Sequence, residues 1–216
     1  MSNCSVAPSI LSGDFAKMGE TVANVEKWGA DLVHCDVMDG VFVPNITFGM
    51  PMVKAIRPYT TLPLDVHLMI TEPEKYVERF CDAGADIVTF HPEASKDARA
   101  ALLAIKAKGK KCGLVVNPDK GFDLVEPYMD LVDMIVLMGV FPGFGGQSYI
   151  ESVSDNIVLF AKKIAESGRE IALELDGGVT ESNAERFRAL GITVLVAGSA
   201  TFKAADPAKA IKVIRG

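Results

Sequence analysis

Close cysteine pairs are missing from this chain. Cys4, Cys35, Cys81 and Cys112 are scattered, which speaks against a thiolate zinc module or a disulfide scaffold. They read instead as reduced core thiols, as in a cytoplasmic protein. No run of about 18 apolar residues occurs, so no membrane span is expected. The segment Met1-Ser2-Asn3-Cys4-Ser5 has no basic stretch followed by an apolar one, so no leader is expected. Basic excess is missing too. A net charge of −6 argues against nucleic acid as a partner, though not against a small anion held by backbone N–H groups. Low-complexity tracts and linkers are also lacking, so residues 1–216 read as a single domain.

What the chain does have is a large apolar content, 49% of 216 residues, and a regular alternation of short β-rich runs with helical patterns. Strands are expected near Ser5–Ser9, Leu32–Asp36, Leu64–Leu68, Ile87–His91, Lys111–Val115, Met134–Met138, Ile171–Leu175 and Val194–Ala197. Helices are expected at Phe15–Trp28 after an Asp14 cap, Glu74–Ala83 after Pro73, Lys96–Lys108, Ile150–Ser167 and Glu181–Leu190. The last three close at Gly109, Gly168 and Gly191. The strands are apolar on both faces, as in a parallel sheet covered by helices. Eight of them predict an α/β fold, the (β/α)8 TIM barrel. An open dinucleotide-binding sheet would carry G-x-G-x-x-G after its first strand, and none follows Ser9.

Function in such a barrel gathers at the C-terminal strand ends. Three strands end in ligand-type residues: His34-Cys35-Asp36-Val37-Met38, Asp65-Val66-His67-Leu68-Met69 and Glu174-Leu175-Asp176. Side chains alternate along a strand, so His34, Asp36 and Met38 share a face, as do Asp65, His67 and Met69. If those faces point inward, His34, Asp36, His67 and Asp176 form one cluster. Buried together they would be costly without a counterion. Two imidazoles and two carboxylates suit one divalent cation, Zn, Fe(II), Mn or Co. Two acid/base carboxylates beside a metal suit proton transfer.

Glycine-rich turns follow the next strand ends: Pro142-Gly143-Phe144-Gly145-Gly146-Gln147, then Gly177-Gly178, then Gly198-Ser199. Glycine lets the backbone approach an anion, and barrel enzymes often hold phosphate after strands seven and eight.

These runs, HCDVMDGVFVPNITFG, LDVHLM, PGFGGQ, LDGGV and VAGSATF, closely resemble the ribulose-phosphate 3-epimerase family from Ser9 to about Phe202. The resemblance implies a ribulose-phosphate-binding (β/α)8 barrel. It also implies an isomerase that inverts C3 of a ketose phosphate through a cis-enediolate, with D-ribulose 5-phosphate and D-xylulose 5-phosphate as the interconverted pair. Metal ligands would be His34, Asp36, His67 and Asp176, with Asp36 and Asp176 as the acid/base pair. Substrate would meet Ser9, His67, Met38, Met69, Met138 and Asp176. Its phosphate end would lie among Gly143, Phe144, Gly145, Gly146, Gly177, Gly178, Gly198 and Ser199. No organic cofactor is implied, and homo-oligomers are expected.

The chain departs from the family pattern at Gly139, where Ser or Thr is usual, and at Phe141, where a polar residue is usual. Thr89-Phe90-His91-Pro92-Glu93 is similar to the related allulose-6-phosphate 3-epimerases, making D-allulose 6-phosphate the alternative substrate. A phosphate-binding decarboxylase would carry lysine in D-x-K-x-x-D, where Met38 stands here. A catalytically silent barrel would be expected to have lost one of the four cluster residues.

Overall fold

The computed structural model describes residues 4–216. Eight parallel strands follow one another, β1 Ser5–Ala7, β2 Val33–Met38, β3 Leu64–Met69, β4 Ile87–Phe90, β5 Lys111–Val116, β6 Met134–Met138, β7 Ala172–Asp176 and β8 Val194–Val196. Their order in the sheet is 1-8-7-6-5-4-3-2. β1 and β2 lie at its two ends and share no ladder. The gap between them is closed by an N–H···O bond from His34 to Pro8 at 3.1 Å and by a parallel bridge between Ser9 and His34. The sheet is therefore a cylinder whose seam passes beside Ser9.

Helices cover the outside: α1 Met18–Lys27, α2 Met50–Ile56, α3 Val77–Ala83, α4 Ala98–Ala107, α5 Val153–Ser167, α6 Ala184–Leu190, α7 Ser199–Phe202 and α8 Pro207–Arg215. The expected segment Glu74–Ala83 divides into a 3-10 turn at Pro73–Lys75 and α3, because Tyr76 between them has φ −126°. Three elements depart from the expected pattern more clearly. α2 and α8 fill stretches for which no helix is expected, and the β5–β6 crossover uses two 3-10 turns, Phe122–Leu124 and Glu126–Tyr128, with Pro127 in the second. Gly168 ends α5 with φ +66°, the left-handed exit that favours glycine.

Strand parity divides the core in two. Val33, Cys35 and Val37 of β2 and Val66 and Leu68 of β3 face the helices, in the layer with Phe80, Phe160 and Phe187. Ala7, Ile87, Val115, Met134, Val136 and Val194 fill the cylinder instead. This interior is where His34, Asp36, Asp65, His67 and Glu174 also lie, all buried.

The end of the barrel opposite the site is tied by a repeated device. The residue just before or at the start of each even-numbered strand caps an N–H of the odd strand before it. Asp31 accepts from Val6 at 2.8 Å, Asp86 from Leu64 at 3.0 Å, Asp133 from Cys112 at 3.0 Å and Thr193 Oγ1 from Leu173 at 2.8 Å. Three of the four are carboxylates paired with Arg215, with Arg57 and Lys110, or with Lys106. The Trp28-Gly29-Ala30-Asp31 and Ala83-Gly84-Ala85-Asp86 phrases thus serve stability. Replacing Asp86 by Ala is expected to cost about 1–3 kcal/mol. A urea midpoint unchanged from wild type would contradict this.

Candidate active site

Each strand end delivers side chains to one point inside the barrel mouth. His34 Nε2 lies 3.3 Å from Asp36 Oδ1 and 3.7 Å from Asp176 Oδ2. His67 Nδ1 lies 3.2 Å from Asp36 Oδ1 and 3.5 Å from Asp176 Oδ2. One donor atom from each of the four residues falls within 4.8 Å of all the others. His34 Nε2 has no hydrogen-bond partner although it is buried. Among the described residues, no lysine or arginine pairs with Asp36, Asp65, Glu174 or Asp176, and the only cationic partners in reach are imidazoles. A buried orphaned nitrogen facing two carboxylates and a second imidazole is a donor set that fits a divalent cation.

A second ring of buried groups surrounds this cluster. The opposite nitrogen of His34, Nδ1, lies 2.6 Å from Asp65 Oδ2 and 3.5 Å from Glu174 Oε1. His67 turns its Nε2 to His91 Nε2 at 3.0 Å. The chain has three histidines, and all of them meet here. Ser9 Oγ donates to Asp36 Oδ2 at 2.5 Å across the seam. Thr47 holds the end of β2: its hydroxyl donates to the Asp36 carbonyl at 2.7 Å and accepts from Met38 N at 3.0 Å. Thr47 lies within the HCDVMDGVFVPNITFG run, but no role is expected of it there, since it reaches β2 from a loop nine to eleven residues away.

Above the cluster opens a cavity of about 510 Å³. Its walls include Ser9, Met38, Met69, Met138, Asp36 and Asp176, and its far side is made by Gly143–Gly146, Gly177, Gly178, Gly198 and Ser199. Every residue expected to touch substrate lines it except His67, which sits buried beneath. Tyr149, Thr180 and Asn183 also line the cavity and were not anticipated. Gly177 and Gly178 have φ of +107° and +73°, and a Cβ on Gly178 would come within 2.6 Å of the Tyr149 backbone. Only glycine lets these two segments touch.

The profile of the ribulose-phosphate 3 epimerase family matches residues 5–202. The chain belongs to that family. It is 48% identical over 212 residues to ribulose-phosphate 3-epimerase of Bacillus subtilis, covering 98% of each chain. It is 51% identical to the chloroplastic ribulose-5-phosphate-3-epimerase of Arabidopsis thaliana, covering 97% of this chain and 75% of that one. The solved structure of 3-hexulose-6-phosphate synthase from Salmonella typhimurium superposes with a TM-score of 0.71 at 19% identity, covering 98% of this chain and 96% of that one. At that identity the likeness concerns the barrel alone.

The two departures of this epimerase from its family pattern have different structural standing. A Cβ on Gly139 would lie 2.3 Å from the Gly177 carbonyl oxygen, while Gly139 N–H donates to Asp176 O at 2.6 Å. The start of the sixth loop is therefore pressed flat against the strand end that carries Asp176. Phe141 is half exposed, and its carbonyl accepts from Gln147 Nε2 at 2.8 Å, as does that of Phe144. Nothing in the structure explains an aromatic side chain at 141. Asn45 Nδ2 donates to Gly143 O at 3.1 Å, so the loops after β2 and β6 meet over the cavity. Among the described residues no helix is long and apolar enough to cross a membrane.

The electrostatics follow from burial and crowding. Burial disfavours the charged form of His34, but Asp36 and Asp65 outweigh it and hold its pKa well above the ordinary value. Burial opposes ionisation of Asp36 as well, yet His34 and His67 drive its pKa far below the carboxylate range. For His67, burial is again overcome, by Asp176 and Asp36, and its pKa is raised. Glu174 is pushed well above its usual range by burial and by Asp65. His91 goes the other way, down to about 4, chiefly from burial. A cation must therefore displace protons that His34 and His67 hold to higher pH than usual. Affinity for Co²⁺ should fall as pH drops from 8 to 6, by roughly tenfold per unit per displaced proton. Chelator competition giving one constant across that range would contradict the reading.

Proposed function

We propose that the protein interconverts D-ribulose 5-phosphate and D-xylulose 5-phosphate. The single observation that carries this is the convergence of Asp36 and Asp176, from β2 and β7, on the same two imidazoles at the floor of a cavity large enough for a sugar phosphate. The names of the curated relatives support the choice of substrate. A cavity of about 510 Å³ is ample for a five-carbon sugar phosphate.

Inversion at C3 needs two proton-transfer groups, one on each face. One aspartate takes the C3 hydrogen as a proton. The C–H electron pair moves into a C2–C3 double bond, and the C2 carbonyl becomes an oxyanion. The other aspartate, which enters the step protonated, gives its proton to C3 from the opposite face, as the C2 oxyanion returns to a carbonyl and the C2–C3 double-bond pair becomes the new C–H bond. The reverse reaction exchanges their roles. His34 and His67 fix both carboxylates in place, and Ser9 holds Asp36 Oδ2 so that Oδ1 stays turned toward the imidazoles. Met38, Met69 and Met138 supply an apolar wall that keeps water from the planar intermediate.

The residues that would hold one divalent ion are His34, Asp36, His67 and Asp176, and the orphaned His34 Nε2 supports that assignment. Bound there, a divalent ion supplies Lewis-acid stabilisation of the enediolate oxygens. That help matters because Asp36, with its pKa so low, is a weak base. The backbone turns at Gly143–Gly146, Gly177-Gly178 and Gly198-Ser199 would take the phosphate, with N–H groups free to approach it.

Replacing either Asp36 or Asp176 by Asn should lower kcat by about 10²–10⁴-fold or more in a chain whose circular dichroism is unchanged. Near-normal turnover by either folded variant would overturn the pairing. Wild-type enzyme in deuterated water should place deuterium at C3 of ribulose 5-phosphate faster than at C3 of allulose 6-phosphate. The reverse order would assign the six-carbon substrate. Free ribulose, lacking the phosphate, should show a kcat/KM at least ~100-fold lower, the factor that some 3 kcal/mol of lost anion binding gives. Equal values would remove the phosphate role from the glycine turns.

A further inference from the structure

The two histidines of the cluster are held by different kinds of partner. His34 Nδ1 is backed by a carboxylate, Asp65, at 2.6 Å. His67 Nε2 is backed by another imidazole, His91, at 3.0 Å. Two imidazole nitrogens at that distance share one proton, so one ring donates and the other accepts. His67 Nδ1 faces Asp36 and Asp176. If that nitrogen offers its lone pair to a cation, the ring's proton sits on Nε2 and points at His91. His91 Nε2 must then be bare, and its own proton must sit on Nδ1. Glu93 Oε1 faces that nitrogen at 3.8 Å, beyond hydrogen-bond reach, so the buried His91 Nδ1 has no direct hydrogen-bond partner; Glu93 is itself held by Asn117 Nδ2 at 2.7 Å. Phe42 packs on the His91 ring with centroids 4.8 Å apart.

We infer that His91, packed against Phe42 and facing the Glu93 carboxylate, is a positioning residue that fixes the tautomer and the orientation of His67. The line of groups runs from Asn117 and Glu93 near the surface, past His91, to His67 at the cluster. It would raise affinity by presenting a single His67 nitrogen, already turned, rather than a ring free to flip. The inference rests on the metal reading proposed above, and the test separates the two.

Wild-type protein, His91→Phe and His91→Gln are titrated with Co²⁺ against a fluorescent chelator, and the visible absorption of the bound ion is recorded. Phenylalanine keeps the ring and removes the acceptor, so His91→Phe should bind Co²⁺ about 10–100-fold more weakly with an altered spectrum. Glutamine restores an acceptor oxygen, and His91→Gln should recover most of the loss. In parallel, nitrogen NMR of the Zn²⁺-loaded wild-type chain, labelled at histidine, should find His67 protonated on Nε2 and His91 on Nδ1. That measurement decides the matter even if His91→Phe does not fold. Wild-type affinity in folded His91→Phe, failure of His91→Gln to recover any of the loss, or a proton on His91 Nε2 each overturns the inference while leaving the metal reading intact. Absence of Co²⁺ binding by the wild-type chain removes both.

Discussion

Crowding carboxylates inside a barrel with no lysine or arginine beside them is the constraint on which this molecule turns. Asp36, Asp65 and Glu174 are buried and Asp176 nearly so, within reach of the same His34 ring. In a low-dielectric interior, isolated charges of one sign are expensive. The protein answers in layers. The imidazoles take up protons when nothing else is there, Glu174 resists ionisation, and the central four donors leave a position suited to a cation. The poise that would make the centre useful for chemistry is thus the same poise that makes it tolerable to bury.

Stability has to come from elsewhere, and the fold separates the two duties by barrel end. Asp31, Asp86, Asp133 and Thr193 tie neighbouring strands at the bottom, where three of them are also paired with cations. The large side chains Phe80, Phe160 and Phe187 lie fully buried under the helices. That outer layer meets the mouth only at its margin, where Phe187 packs on Tyr149, so the mouth can hold unpaired groups and glycine turns that would weaken a strand.

Much of this was written in the chain in a readable form. In β2 and β3 an apolar strand is interrupted by polar residues two apart, His34 and Asp36, then Asp65 and His67. A helix-facing surface has no use for such residues, so parity alone turned them inward. The glycines after β6, β7 and β8 were equally clear because backbone approach demands them. Other contacts were hidden for physical reasons. His91 shares the parity of inward-facing Ile87, so its direction was readable, but its pairing with His67 was not. Thr47, Asn45 and Tyr149 come from irregular loops whose paths are set by tertiary contacts. The helix Met50–Ile56 has too few residues for its period to register, and the β5–β6 crossover lacks any α-helix to find.

The seam between β1 and β2 has a mechanical consequence. Every other pair of neighbouring strands is stitched by a ladder, while this pair is joined by Val6 to Asp31 and Leu32 at the bottom and by the His34 N–H, the adjoining Ser9 bridge and the Ser9 hydroxyl on Asp36 at the top. This joint without a ladder therefore passes through the working centre. A ligand resting on Ser9 from one lip and on Asp36 from the other would act as a suture, so that the occupied barrel becomes a stiffer tube than the vacant one. Slower amide exchange at His34 on occupancy would be its signature.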